Sequence, residues 1–222
     1  MIGVVLFPGT NCEQDVVEAI AHLGGHAEIV WHGDRRLPSS LDAVVLPGGF
    51  AHGDYLRTGA IARFAPVMAP ITEFAQLGGP VLGICNGFQI LCEAGLLPGA
   101  LQRNRGLKFM CQFTDVRVET STTAASSAIP PGTVLHIPIN HFEGCFTCGP
   151  DTLAELRREE RIVFRYVDNP NGSVDDIAGV CSSGRNVVGL MPHPERATHE
   201  VLGSTDGGRV LASLLAATTV TG

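Results

Sequence analysis

The chain has 222 residues, of which 45% are hydrophobic, and a formal net charge of -7. This acidic balance, with no basic cluster, argues against a nucleic-acid partner. No apolar run is long enough to span a membrane, and residues 1–7 lack the basic start of a signal peptide. The seven cysteines show no regular spacing, which fits a reduced, cytoplasmic setting, and the lone Cys145-x-x-Cys148 pair is too little to predict a metal site.

The first half of the chain alternates apolar runs with amphipathic segments. Apolar runs of strand length occupy residues 1–7, 27–31, 43–46 and 81–84. Between them, the capping-box spacing of Thr10 and Glu13 predicts a helix to about Leu23, and residues 59–77 predict a proline-interrupted helix. This order predicts one α/β domain with a mostly parallel central sheet flanked by helices. Its functional loops should lie at the carboxyl ends of the strands.

The second half predicts further strands, the last three of which form a small antiparallel extension. Strand patterns occupy residues 113–119, 133–139, 162–167, 178–181 and 186–190, and turn sequences separate the last three. Residues 151–160 predict a short charged helix, and Asp206 is placed to cap a last helix through Ala216. The Ser/Thr/Ala/Pro-rich segment 120–131 predicts an exposed loop.

Cys85 lies where a predicted strand turns sharply into a helix. Gly83 and Gly87 flank it in a Gly-x-nucleophile-x-Gly pattern, where larger side chains would crowd the turn. The helix N-terminus supplies unpaired N–H groups and positive potential, which favour a thiolate. The alternative is a buried structural cysteine, but the two glycines favour a nucleophile. Cys12 also follows a strand and precedes a helix, but no glycine pair flanks it, so Cys85 is the better candidate.

His193 is the candidate base among eight histidines. It follows an apolar strand in Met191-Pro192-His193-Pro194-Glu195, where the prolines favour extended backbone. Positions two apart in an extended chain face the same way, so Glu195 can reach the His193 ring and orient it. His141 and Glu143 repeat this spacing without the prolines, and we expect them to line the site rather than to drive the reaction.

The developing negative charge on a carbonyl oxygen needs hydrogen-bond donors. The backbone N–H of Asn86 is placed for this, because it follows an elbow nucleophile directly. The second donor is predicted in the glycine-bearing loop after the third strand, at Gly49 or Phe50, where glycine lets the backbone approach a substrate closely.

Five motifs resemble those of the class I (triad) glutamine amidotransferases, and in particular the small glutaminase subunits of phosphoribosylformylglycinamidine synthases. They are FPGTNC (7–12), GGFAHGDYLR (48–57), GICNGFQ (83–89), NPNGS (169–173) and MPHPER (191–196), and the likeness spans nearly the whole chain. Two places depart from the family pattern: Ala51-His52 replaces Ser-Tyr, and Asn140-His141-Phe142-Glu143 replaces Ala-His-Gly-Glu.

The resemblance implies a flavodoxin-like amidotransferase domain over residues 1–222 that hydrolyses glutamine with Cys85, His193 and Glu195. Gln89 matches a family position that contacts glutamine. Ammonia would pass to a large synthetase subunit, where ATP and Mg would activate formylglycinamide ribonucleotide, and a small third subunit often accompanies this type. The sequence has no G-x-x-x-x-G-K-[ST] loop, which agrees with a chain that binds no cofactor.

Two interpretations from other classes compete with this one. A stand-alone α/β cysteine hydrolase or peptidase would share the elbow, but would not require the distal His-Pro-Glu and would turn over without a partner. A non-catalytic binding module would need a broken triad, whereas all three residues are present here.

Overall fold

The computed structural model describes residues 1–218. Within that range it contains the strands β1 (Ile2–Leu6), β2 (Ala27–Trp31), β3 (Ala43–Leu46), β4 (Val81–Ile84), β5 (Ala100–Gln102), β6 (Met110–Val118), β7 (Val134–His141), β8 (Cys145–Thr147), β9 (Ile162–Tyr166), β10 (Ile177–Cys181) and β11 (Val187–Leu190). The helices are α1 (Glu13–His22), α2 (Met68–Gln76), α3 (Asn86–Glu93), α4 (Pro150–Arg158) and α5 (Gly207–Thr218).

Nine strands form one central sheet in the order β2-β1-β3-β4-β11-β10-β9-β6-β7. The first five of these strands pair in parallel, and the remaining four pair antiparallel, beginning with β10 against β11. The predicted fold is therefore confirmed, with the antiparallel extension built from four strands of the same sheet. A separate ribbon pairs β5 with β8, and the sequence did not indicate it.

The inner strands of the parallel half are apolar because both of their faces are covered. Every residue of β3 and β4 is buried, and these strands pack against α3. On another part of the sheet, α1 contacts β1, β2 and α5. Burial on both faces accounts for continuous Val, Leu and Ile runs in place of an alternating pattern, so the sequence located these strands well.

Two local expectations were wrong. Thr10 does not cap α1: its Oγ1 accepts the Phe7 N–H at 3.1 Å, and the helix begins at Glu13 after Cys12. The segment 120–131 is not an exposed loop, because Ala125 and Ile129 are fully buried. The Ala128 N–H donates to Ser213 Oγ at 3.1 Å, which fastens the segment to α5. Composition alone could not show that a helix distant in sequence covers it.

Helix α3 approaches the sheet closely at Gly87. A Cβ built there would lie 1.8 Å from the Leu46 carbonyl oxygen at the end of β3, which no side chain can occupy. Glycine thus allows the first turn of α3 to rest on the sheet and fixes where Cys85 stands. Among the described residues, no helix is long and apolar enough to cross a membrane.

We predict that Gly87→Ala lowers the free energy of unfolding by about 3 kcal/mol or more, because α3 must move off β3 to admit the methyl group. Local helix propensity alone would make the alanine variant more stable by roughly 1 kcal/mol. The sign of the change in the free energy of unfolding therefore shows whether the steric contact or helix propensity dominates. Urea denaturation measures the change. Gly106→Ala is the control, because nothing lies within 4 Å of a Cβ there. Equal midpoints for the two variants would contradict the close-packing account.

Candidate active site

Cys85 holds a strained backbone conformation between β4 and α3. Its φ and ψ are 50° and -104°, in a region that non-glycine residues rarely occupy. Its N–H donates to the Leu190 carbonyl at 2.8 Å, so β11 holds the turn in place. Such strain is typical of a nucleophile elbow, in which the side chain is presented at the end of the sheet. The Cys85 Sγ lies 3.8 Å from the Asn140 carbonyl oxygen at the end of β7.

His193 and Glu195 form a buried pair just beyond β11. The His193 Nδ1 lies 2.6 Å from Glu195 Oε1, and the two residues are only 1% and 2% exposed. The backbone N–H of His193 donates to the Pro138 carbonyl at 2.8 Å, which ties the segment to β7. Among the described residues, no well-aligned hydrogen bond engages the opposite ring nitrogen, Nε2. That nitrogen is therefore available for proton transfer.

The environment of His193 favours its protonated form. Burial alone lowers the pKa, but the Glu195 carboxylate and then the Cys85 sulfur raise it, and the net result is well above the usual value. A positive imidazolium beside Cys85 can stabilise a thiolate and supply a proton to a leaving group. The predicted nucleophile, base and orienting acid are thus in one place.

Asn86 and the loop after β3 surround the predicted oxyanion position. The Asn86 side chain faces that loop: its Oδ1 accepts the Ala51 N–H at 3.0 Å, while its backbone N–H stands at the start of α3. The Phe50 N–H is already used, because it donates to the Gly9 carbonyl at 2.9 Å. Within residues 1–218 no hydrogen bond engages the Gly49 N–H. Of the two loop residues predicted from the sequence, Gly49 is therefore the better placed donor.

The cavity beside Cys85 contains the other predicted contact residues. Gly49, Phe50, Gln89 and His141 all line it. Gln89 is held by the protein on both sides, because its Oε1 accepts from Asn86 Nδ2 at 2.9 Å and its Nε2 donates to the Glu143 carbonyl at 2.5 Å. It joins α3 to the segment after β7 and fixes the width of the cavity. The second N–H and the second oxygen lone pair of the Gln89 amide can still bind a substrate.

Two acids also line this cavity, of which Glu143 was expected there with His141 and Asp54 was not. Asp54 and Glu143 stand on its wall. Burial raises the pKa of Asp54 to about 6, an Asn86 hydrogen bond opposes the rise, and the charge of Glu143 adds to it. Two acids beside one cavity suit a cationic group, although the Glu143 carboxylate also lies 3.7 Å from Arg103 Nε. The only sequence signal for Asp54 was its place in the motif after β3.

Cys12 lies closer to the site than its sequence position indicated. Its Sγ lies within 4.8 Å of a ring nitrogen of His193, and Arg196 Nη2 donates to it at 3.2 Å. Burial raises the pKa of the Cys12 thiol, and its backbone is unstrained. These features favour a supporting thiol rather than a nucleophile.

Cys12, His193 and Glu195 form the one cluster among the described residues that offers metal-ligand spacing, with donor atoms within 4.8 Å of one another. A cation there would compete with the hydrogen bond between His193 and Glu195, and it would stand beside the Arg196 guanidinium. The donor set therefore suits proton transfer better than metal binding.

The chain resembles known proteins along nearly its full length. The model of the CobB/CobQ-like glutamine amidotransferase domain matches residues 1–209. Phosphoribosylformylglycinamidine synthase subunit PurQ of Rubrobacter xylanophilus is 58% identical over 215 residues, which cover 97% of each chain. The PurQ subunit of Helicobacter hepaticus is 53% identical over 214 residues, which cover 96% of each chain.

Solved structures give the same result. A chain in the structure of PurLQS from Thermotoga maritima is 41% identical, and the match has a TM-score of 0.89 and covers 97% of both chains. With this agreement between fold, motifs and site geometry, the chain belongs to the CobB/CobQ-like glutamine amidotransferase family, among the PurQ subunits of phosphoribosylformylglycinamidine synthase.

Proposed function

We propose that this chain is the glutaminase subunit of a phosphoribosylformylglycinamidine synthase. It hydrolyses glutamine to glutamate and ammonia, and the ammonia serves a partner that converts formylglycinamide ribonucleotide to formylglycinamidine ribonucleotide in purine biosynthesis. The observation that carries the proposal is the strained elbow at Cys85 beside the buried His193–Glu195 pair. The relatives are subunits of that synthase, which supports the inference that this chain works with a synthetase subunit.

The geometry supports a two-stage hydrolysis. The Cys85 sulfur attacks the side-chain amide carbon of glutamine, and the new oxyanion lies toward the N–H groups of Asn86 and Gly49. His193 gives its proton to the amide nitrogen, the carbon–nitrogen bond breaks, and ammonia leaves. A γ-glutamyl thioester then remains on Cys85. Water attacks it while His193 takes the proton, and glutamate departs as the thiol is restored.

The assembly follows from the relatives and from the absence of an ATP loop in the sequence. The partners are a large synthetase subunit, which would hold the ATP and Mg, and a small third subunit. The PurLQS assembly of Thermotoga maritima supports this composition. All seven cysteines are unpaired, and a thiol nucleophile must stay reduced, which supports a cytoplasmic location.

The two cavity acids give the substrate an orientation. With the reacting amide at Cys85, the α-ammonium of glutamine is placed toward Asp54 and Glu143, where opposite charge favours it. This arrangement makes binding depend on the ionised form of Asp54.

A diazo-ketone analogue of glutamine should alkylate Cys85 before any other cysteine, because only that sulfur combines the elbow with the protonated His193. Peptide mapping after partial inactivation identifies the modified residue. Cys12→Ser is the matched control, since it removes the other thiol near His193 and should still be labelled at Cys85. Labelling of Cys12, with activity lost in parallel, would reject Cys85 as the nucleophile.

Cys85→Ala should separate ammonia production from ammonia use. The turn is fixed by backbone contacts and glycines, so the variant should still fold and assemble with the synthetase subunits. Product formation with glutamine should be lost, while formation with high ammonium at alkaline pH should continue at close to the wild-type rate. Parallel assays of the two nitrogen sources on one mutant complex measure this. Loss of both reactions in an assembled complex would show that Cys85 does more than release ammonia.

The KM for glutamine should rise as the pH falls below about 6, because Asp54, whose pKa is about 6, gains a proton and loses its charge. Asp54→Asn should raise the KM about 10- to 100-fold at pH 7.5 and flatten this dependence, as expected for a lost charged hydrogen bond. The kcat should change less than the KM, because the Asp54 carboxylate accepts from the Asn86 side chain and takes no part in the proton transfer. Asp168→Asn, at an exposed position, is the control. A KM equal to wild type would remove Asp54 from substrate binding.

A further inference from the structure

His141 is buried in the catalytic cavity with its protonation pattern fixed by Asn104. The Asn104 amide is oriented by three backbone partners: its Nδ2 donates to the Lys108 and His141 carbonyls at 2.9 and 3.0 Å, and its Oδ1 accepts the Gly144 N–H at 3.1 Å. The same Oδ1 lies 3.0 Å from His141 Nδ1. Because this oxygen can only accept, His141 Nδ1 must carry the hydrogen.

The other ring nitrogen of His141 is therefore a lone-pair acceptor in the neutral ring. His141 is only 3% exposed, and among the described residues no hydrogen bond engages its Nε2. A buried acceptor without a partner is unfavourable, so such a group is typically reserved for a ligand. Burial, and then the charge of His193, lower the pKa of His141 to about 4, which keeps the ring neutral at physiological pH.

The position of His141 identifies which end of the substrate it meets. Its chain neighbour Asn140 places a carbonyl oxygen 3.8 Å from the Cys85 sulfur. His141, Cys85 and His193 line the same cavity, and the charge of His193 acts on the His141 ring. His141 thus faces the reacting end of the cavity, and the donor in a glutamine molecule at that end is the side-chain –NH2 group.

We propose that His141 Nε2 accepts a hydrogen bond from the carboxamide nitrogen of the substrate and so selects a carboxamide over a carboxylate. This inference rests on the proposed glutaminase activity and names a specificity-determining residue for it. Glutamate carries no N–H at this end, and its oxygen lone pairs would meet the lone pair of Nε2 in a buried site. The same contact therefore favours binding of glutamine and release of glutamate.

Two substitutions separate the two functions of the His141 ring, which are donation to Asn104 from Nδ1 and acceptance of a hydrogen bond at Nε2. His141→Asn keeps an N–H near the Nδ1 position for Asn104 but removes the Nε2 acceptor. His141→Gln extends farther and can place a carbonyl oxygen near the Nε2 position. In the reconstituted complex, the KM for glutamine and the Ki for glutamate are measured for each. We expect the ratio of Ki to KM to fall about tenfold or more in His141→Asn, with recovery toward wild type in His141→Gln.

The ratio separates selection from a structural role. A variant that only loosens the cavity weakens glutamine and glutamate together, so an unchanged ratio in His141→Asn overturns the inference while leaving the proposed function in place. A wild-type complex without glutaminase activity overturns the proposed function itself, and this inference with it.

A second measurement covers the case in which the His141 variants do not fold. In the full-length Cys85→Ala chain with 15N-labelled histidine, the Nε2 resonance of His141 should shift when glutamine saturates the site and should not shift with saturating glutamate. No shift with glutamine, or equal shifts with both ligands, overturns the inference.

Discussion

Three features of the surrounding packing hold the backbone of Cys85 in an unfavourable conformation. The N–H of Cys85 is bonded to Leu190 on β11, and Gly87 in the next turn rests against the Leu46 carbonyl on β3. The strand before the turn is wholly buried. Strain of this kind costs on the order of 1–3 kcal/mol and persists only when the surrounding packing determines it. The sulfur therefore has a fixed position, and the other groups of the site are arranged around it.

The His193 segment shows a second use of close packing. A Cβ at Gly48 would lie 2.6 Å from His193 Cε1 and 3.1 Å from the Cys12 sulfur, so the absence of a side chain at residue 48 makes room for the imidazole. The ring then sits in a dry environment with Glu195 as its charged partner. A buried pair of this kind is a weak source of stability, because each charge has lost its water. Its value lies in holding a proton at a defined atom.

The sequence predicted the parallel strands and the grouping of Cys85, His193 and Glu195 well because each has a local signature. Continuous apolar runs mark strands covered on both faces, and glycines at Gly83 and Gly87 mark an elbow. The His193-x-Glu195 spacing predicted the pair, although residues 194–196 form a short 3₁₀ helix rather than the expected extended segment. The remaining features depend on contacts between distant parts of the chain. Cys12, which follows β1, lies near His193, which follows β11. Asn104 lies in a loop with no recognisable sequence pattern, yet it orients His141.

The position of β11 has a consequence for how the protein is made. This strand lies between β4 and β10, so it joins the parallel half of the sheet to the antiparallel half, although it is the last strand in sequence. A nascent chain on the ribosome can assemble β1 to β4 early, but the bond from the Cys85 N–H to Leu190 must wait for β11. Until residues 187–195 emerge, however, His193 and Glu195 are missing from the site and the sheet is in two parts. Glutamine hydrolysis therefore cannot begin until β11 has been synthesised and has joined the two halves of the sheet.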